Sequence, residues 1–232
     1  MAIALDANLG NATNSDTLTT TSAATSASRV ILFAWWYVAS GTCTGATGGG
    51  LTWVVDKQFK DTLDGGNHLA ILSADAPSGL ASSTVITPSF SVAADFGPGL
   101  AAASFTGLAT GAAGYIDVTS TGKEDFEEVW TTNNLVTTNA DDLLVALSFG
   151  SGGVSNTATA PAIEIHDFAG EGAEMVASVY RIVAATSTYT PGGTWSGTVG
   201  LQVNIGAAYK AAAAAVALQV PTEFPPRHFG PF

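Results

Sequence analysis

The stretch Arg29-Val30-Ile31-Leu32-Phe33-Ala34-Trp35-Trp36-Tyr37-Val38 decides the fold class. After the arginine every position is apolar or aromatic, and β-branched and aromatic residues suit a pleated surface. Successive side chains of a strand point to opposite faces, so an apolar run without alternation is a strand buried on both sides. The segment therefore reads as the central strand of a sheet.

The chain on either side is cut into similar short runs by dense turn punctuation, 26 glycines and 9 prolines. Strands are predicted over residues 51–55, 68–72, 83–90, 100–105, 115–118, 142–149, 162–168, 175–183 and 199–209. The last alternates, with Val199, Leu201, Val203 and Ile205 on one face. Pro88 places residues 83–90 near an edge or a bulge. Many short strands separated by turn signals predict an all-β, antiparallel β-sandwich of jelly-roll or double Greek-key type. No long amphipathic helix pattern exists. Residues 124–130 form a candidate helical turn, and the alanine content of residues 207–218 makes them a candidate helix. A weak internal rhyme links the strand starts near Arg29, Leu69 and Gly99 to those near Asp142, Val176 and Gly200, at drifting offsets of 113, 107 and 101 residues.

Composition excludes several functions. With 47% hydrophobic residues the chain can fold, while charged residues are only 11%, against about 25% in an average domain. Thr, Ser, Asn, Gly and Ala must cover the surface. The net charge is −12 with seven Lys and Arg in all, too few to displace phosphate counterions, so neither nucleic acid nor an anionic membrane is an expected partner. The lone Cys43 excludes an internal disulfide and reads as a small buried hydrophobe. The opening Met-Ala-Ile-Ala-Leu-Asp lacks the pattern of a signal peptide, and no apolar run has the length of a membrane span. The expected setting is a protein that assembles in the cytoplasm and acts outside it.

The motifs that could carry chemistry all have plainer readings. Gly150-Ser151-Gly152-Gly153 lacks the spacing of a nucleophile elbow. His68, His166 and His228 are isolated, and His166-Asp167 would point to opposite faces of a strand. Asp61, Asp64 and Asn67 around Gly65-Gly66 could supply oxygens to Ca²⁺, but the spacing misses the EF-hand pattern and fits an Asx-rich turn. Asp141-Asp142 reads as a turn entering a strand. Glu124, Asp125, Glu127 and Glu128 surround Phe126 and Trp130 in an expected surface loop. Trp35, Trp36, Trp53, Trp130 and Trp195 would stack on sugar rings if exposed, and otherwise pack the core. Gly45-Ala-Thr-Gly-Gly-Gly reads as a turn. No catalytic, cofactor or metal residue is assigned, and no enzyme activity is expected.

The end of the chain changes character. Val220-Pro-Thr-Glu-Phe-Pro-Pro-Arg-His-Phe-Gly-Pro-Phe favours an extended path. The expected organisation is one sandwich domain over residues 1–218 and a docking tail over 219–232. Phe224, Pro225, Pro226, Arg227, His228, Phe229 and Phe232 are the expected partner-binding residues, because three exposed phenylalanines would be a liability in solution.

Arg29-Val-Ile-Leu-Phe, Gly48-Gly-Gly-Leu-Thr-Trp53, Leu69-Ala-Ile-Leu-Ser-Ala-Asp-Ala, Ala103-Ser-Phe-Thr-Gly107 and Asn139-Ala-Asp-Asp-Leu-Leu-Val-Ala together resemble β-sandwich proteins of phage and metagenomic structural regions. The resemblance spans roughly residues 1–210. It implies a virion structural protein, such as a capsid decoration, head-fibre or tail-associated sandwich. Its expected partners are copies of itself or neighbouring major capsid or tail proteins on the particle surface. Two alternatives stand beside it: a carbohydrate-binding or host-adhesion module taking a surface glycan, and an extracellular filament or surface-layer subunit.

Overall fold

The apolar run that decides the fold class is β3 (Ser28–Tyr37), and its two faces enter two different cores. Ile31, Phe33 and Trp35 point into one, while Val30, Leu32, Ala34 and Trp36 point into another. A strand buried on both faces needs a layer on each side, and the molecule supplies them as four stacked layers. The computed structural model describes residues 2–111, 114–152, 155–169 and 174–213. Among these residues no helix is long and apolar enough to cross a membrane.

The first half of the chain holds β1 (Ala4–Ala12), β2 (Leu18–Thr19), β3, β4 (Cys43–Thr47), β5 (Val54–Lys60), β6 (Asn67–Ala76), β7 (Val85–Phe90) and β8 (Phe96–Thr106). The strand order β1-β8-β3-β6-β5 makes a large antiparallel sheet, and β2-β7-β4 make a small one over its outer face. The pairings are nested: β1 with β8, β2 with β7, β3 with β6, and β4 lying beside β5. An antiparallel ribbon rolled up so that its paired strands alternate between two layers is a jelly roll. Here β5 stays with β6 in the large sheet.

The second half repeats the plan. It holds β9 (Ile116–Thr119), β10 (Lys123–Asp125), β11 (Val129–Thr131), β12 (Leu135–Val136), β13 (Asp142–Ser151), β14 (Asn156–Ala158), β15 (Ile163–Ala169), β16 (Glu174–Val183), β17 (Thr188–Tyr189), β18 (Gly192–Trp195) and β19 (Gln202–Tyr209). The large sheet runs β10-β19-β13-β16-β15, with β9 also paired to β19, and β11-β18-β14 and β12-β17 cover its outer face. The chain is thus two jelly rolls in tandem, and the rhyme between the strands near Arg29 and Asp142, and near Leu69 and Val176, is a rhyme between β3 and β13 and between β6 and β16.

The two large sheets face each other across one core, where Ile31, Phe33, Trp35, Leu69, Ile71 and Phe105 meet Leu143, Val145, Leu147, Phe149, Val203 and Ile205. Edge strand β1 of the first roll lies by β15 of the second, where Asn8 Nδ2 donates to the Ile165 carbonyl at 2.7 Å. At the other side β5 lies by β9 and β19. Each roll thus offers its first edge to the other's far edge, the arrangement of an isologous dimer built from one chain.

Local propensity was overridden at two places. Residues 124–130 are not a helical turn: Lys123–Asp125 pairs with β19 and Val129–Thr131 with β18, because two open sheet edges there satisfy more backbone groups than one turn could. Ala207 and Ala208 belong to β19, paired to β13, and not to a helix; the chain beyond residue 213 lies outside the described residues. The strand expected at 51–55 begins at Val54, and β1 was not foreseen.

Candidate functional site

The expected partner-binding residues Phe224, Pro225, Pro226, Arg227, His228, Phe229 and Phe232 lie outside the described residues. The oxygens of Asp61 belong to its own turn. Its Oδ1 accepts from the amides of Asp64 and Gly65, and its Oδ2 accepts from the Asn67 amide at 2.6 Å. That is the Asx-turn geometry. Among the described residues no three His, Cys, Asp or Glu side chains converge on a metal position.

All five tryptophans are buried. Trp130, expected in a surface loop, is fully covered: its Nε1 donates to Asn156 Oδ1 at 2.8 Å and its ring lies 6.3 Å from that of Trp195. None can present a stacking face to a sugar. Cys43 is buried, and that burial pushes its thiol up, away from nucleophilic character. His68 stacks on Trp36 and is held neutral by burial.

The structure assembles one cluster that no local motif marks. Arg29, almost wholly buried, donates from Nη1 to Ser73 Oγ at 2.9 Å and from Nη2 to Asp75 Oδ1 at 2.6 Å. Its guanidinium lies 3.6 Å over the Tyr115 ring. The other oxygen of Asp75 accepts the Gly111 amide at 2.7 Å. Beside it, Tyr115 and Tyr209 each donate a hydroxyl to Asp56, at 2.6 and 2.5 Å. Burial pushes the Asp56 carboxyl up, and hydrogen bonds from Ser73, Tyr115 and Tyr209 with the Arg29 charge pull it part of the way back. Burial and the Asp56 charge raise the Tyr209 hydroxyl well above its ordinary range.

Each oxygen of Asp56 and Asp75 already holds a donor, and the guanidinium is held by Ser73, Asp75 and the Tyr115 face, with its buried Nε unpartnered among the described residues. The cluster ties β3, β5 and β6 of the first roll to β19 and Tyr115 of the second. Above it opens a cleft of about 420 Å³, walled by Gly49, Leu51, Val54, Pro77 and Gly79. Asp75, whose side chain is 28% exposed, is the charged group a ligand there would meet. Residues 29, 56, 73, 75, 115 and 209 are scattered through the sequence. The one signal was Arg29 itself, since a charge opening a buried strand demands a partner.

A second feature lies at the corner where the turn after β5 meets β10. Glu124 accepts from the Thr62 amide at 2.5 Å and from its hydroxyl at 3.0 Å, tying the turn to β10. Leu63, next to Thr62, is 60% exposed, Phe126 just after β10 is 63% exposed and Val129 at the start of β11 is 53% exposed. The acidic residues Asp64, Glu127 and Glu128 beside them are exposed as well. The acidic cluster read from the sequence is therefore divided: Glu124 is a structural tie, and Glu127 and Glu128 are solvated.

Compared with protein-family models, with curated proteins and with solved structures, the chain has no match.

Proposed function

We propose that this protein is a non-enzymatic structural protein that assembles through the surfaces of its tandem sandwich, of the kind that phage virions carry on their particles. The observation that carries the reading is the exposure of Leu63 and Phe126, large apolar side chains on two segments that the Thr62–Glu124 hydrogen bonds hold together, on a chain with only 11% charged residues. Exposed apolar groups that share one corner and have an acidic rim are the mark of a contact surface. The partners on this reading are further copies of the chain or neighbouring particle proteins. The test is light scattering of the full chain beside the Leu63→Asp, Phe126→Asp double variant. The wild type is expected to form a defined oligomer that the variant loses, and a wild type monomeric at every concentration sinks the reading. Mass spectrometry of purified particles from the source culture tests the virion setting.

The cleft over Arg29 favours a second reading, a host-adhesion module for a glycan. Recognition would rest on hydrogen bonds from sugar hydroxyls to the partly exposed Asp75 carboxylate, since no tryptophan is available for stacking. A glycan array probed with the wild type and with Asp75→Ala decides it: hits lost in the variant support this reading, and an array without hits removes it.

A further inference from the structure

Asp142 opens β13 and is fully buried. Both of its carboxyl oxygens are shut off from solvent and, among the described residues, accept no hydrogen bond. The group they meet is the side chain of Asp117 on β9. Asp117 is itself saturated with donors: the amide and hydroxyl of Thr138, the Asn139 amide at 3.4 Å and Asn139 Nδ2 at 2.7 Å. Two carboxyl groups in contact, one of them buried and without any donor, stay together only if a proton lies between them.

We propose that Asp142 and Asp117 form a proton-operated latch. Protonated, Asp142 donates to Asp117, and the Thr138–Asp141 turn and β9 stay locked against the start of β13. Ionised, Asp142 repels Asp117, and the Thr138–Asp141 turn loosens from β9, which its ladder to β19 keeps in the sheet.

The surroundings fit such a device. The charged groups facing Asp142 are Asp117 from β9, Asp141 from the turn, and Lys210 just after β19. The cluster of Leu135, Leu144, Val183 and Ala208 on the same face of the sheet is apolar and offers it no donor. Burial, then the hydrogen bond and charge of Asp117, push Asp142 up from the ordinary carboxylate range to about 7, with Lys210 opposing. Burial would raise Asp117 too, but the donors of Thr138, Asp142 and Asn139 hold it below its ordinary value. The two carboxyls are thus driven apart, one kept as an acid and one as a carboxylate. A metal ion is the poorer occupant, because N–H and O–H donors already fill the oxygens of Asp117. The side-chain ties of the turn run to Asp117, to which Thr138 and Asn139 both donate, and Asp141 within it sits in left-handed backbone at φ 60°.

The experiment is a pH titration of the full chain, reading the Asp142 carboxyl carbon by NMR and the hydrogen exchange of the Thr138 and Asn139 amides. Asp142 is expected to titrate near neutrality, and protection of both amides to fall about tenfold across that transition, the effect of one unit of coupling. The Asp142→Asn variant, which keeps an N–H donor toward Asp117, is expected to hold the protection constant over the same range. An Asp142 carbon that titrates with ordinary carboxylates overturns the latch, as does amide protection in the wild type that ignores the transition. Both readings come from the wild type, so a variant that fails to fold leaves the decision intact.

Discussion

Trp35 of β3 and Phe149 of β13 stack across the central core, with ring centroids 5.1 Å apart and planes 5° from parallel. Each is the eighth residue of its strand, and each faces the matching position of the neighbouring strand, Leu69 on β6 and Val176 on β16. Residues on a two-fold axis meet their own equivalents. The pair therefore marks the pseudo-axis that relates the two rolls.

Truncating either ring should be costly. Trp35→Ala and Phe149→Ala are each expected to lower stability by about 3–5 kcal/mol, the range for large aromatic deletions from a core. The double variant should cost less than the sum by about 0.5–1.5 kcal/mol, the coupling of an aromatic pair. Urea unfolding of the four proteins closes the cycle. Strict additivity would mean that the stack adds nothing beyond area.

Arg29→Ala leaves Asp75 without its cation and bares the Tyr115 ring, at an expected cost of about 3–5 kcal/mol. Because the pair is mostly buried, the loss should change little as salt is raised. Thermal unfolding at low and high ionic strength checks both statements.

The turn before β5 provides a comparison between two glycines. Gly48 has φ +131°, and a Cβ there would lie 2.3 Å from the Val85 carbonyl oxygen, whereas Gly50 has φ +66° with open space around it. Gly50→Ala should cost about 1–2 kcal/mol, the price of the left-handed conformation alone. Gly48→Ala should cost clearly more, because the backbone of β7 must also move. Equal unfolding midpoints for the two variants would contradict the geometry.

His68 predicts a pH dependence of stability. Its Nε2 lies 3.0 Å from the Val38 carbonyl oxygen, so that nitrogen carries the hydrogen and donates. Burial holds its pKa below the ordinary 6.5 in the folded protein, so the unfolded chain binds the proton more readily. The contribution of His68 is then present above 6.5 and lost as the pH falls below it. Asp142 acts with the opposite sign, its raised value giving stability that is lost as the pH rises through about 7. The difference between wild type and His68→Gln isolates the first effect. Relative to the variant, the wild type should lose stability between about pH 7.5 and about pH 5, read from urea midpoints.

Much of the fold was legible because strand patterning is local. The double-sided apolar character of β3 and β13, and the turn signals between strands, are properties of a few adjacent residues. The rhyme at drifting offsets was visible too, although loops of unequal length blurred it. β1 was missed because its residues, Ala4 to Ala12, are mostly exposed or half-buried and carry little apolar signal. Residues 124–130 were misread because a short charged segment has no strong preference of its own and took the conformation that open sheet edges imposed. The five tryptophans were readable as aromatic mass, but whether they faced sugar or core depended on the outer sheets.

The amino-acid pattern by itself determined that this is an all-β, weakly charged chain built around strands with no polar face, because side-chain alternation and turn chemistry act within a few residues. Only the tertiary structure decided that the strands roll into two facing copies, that Arg29 finds Asp75 and the Tyr115 ring, and that Asp142 is buried against Asp117. Those relationships join residues tens to more than a hundred positions apart. Contacts at such separations are selected by the whole packed core and leave no periodic trace along the chain.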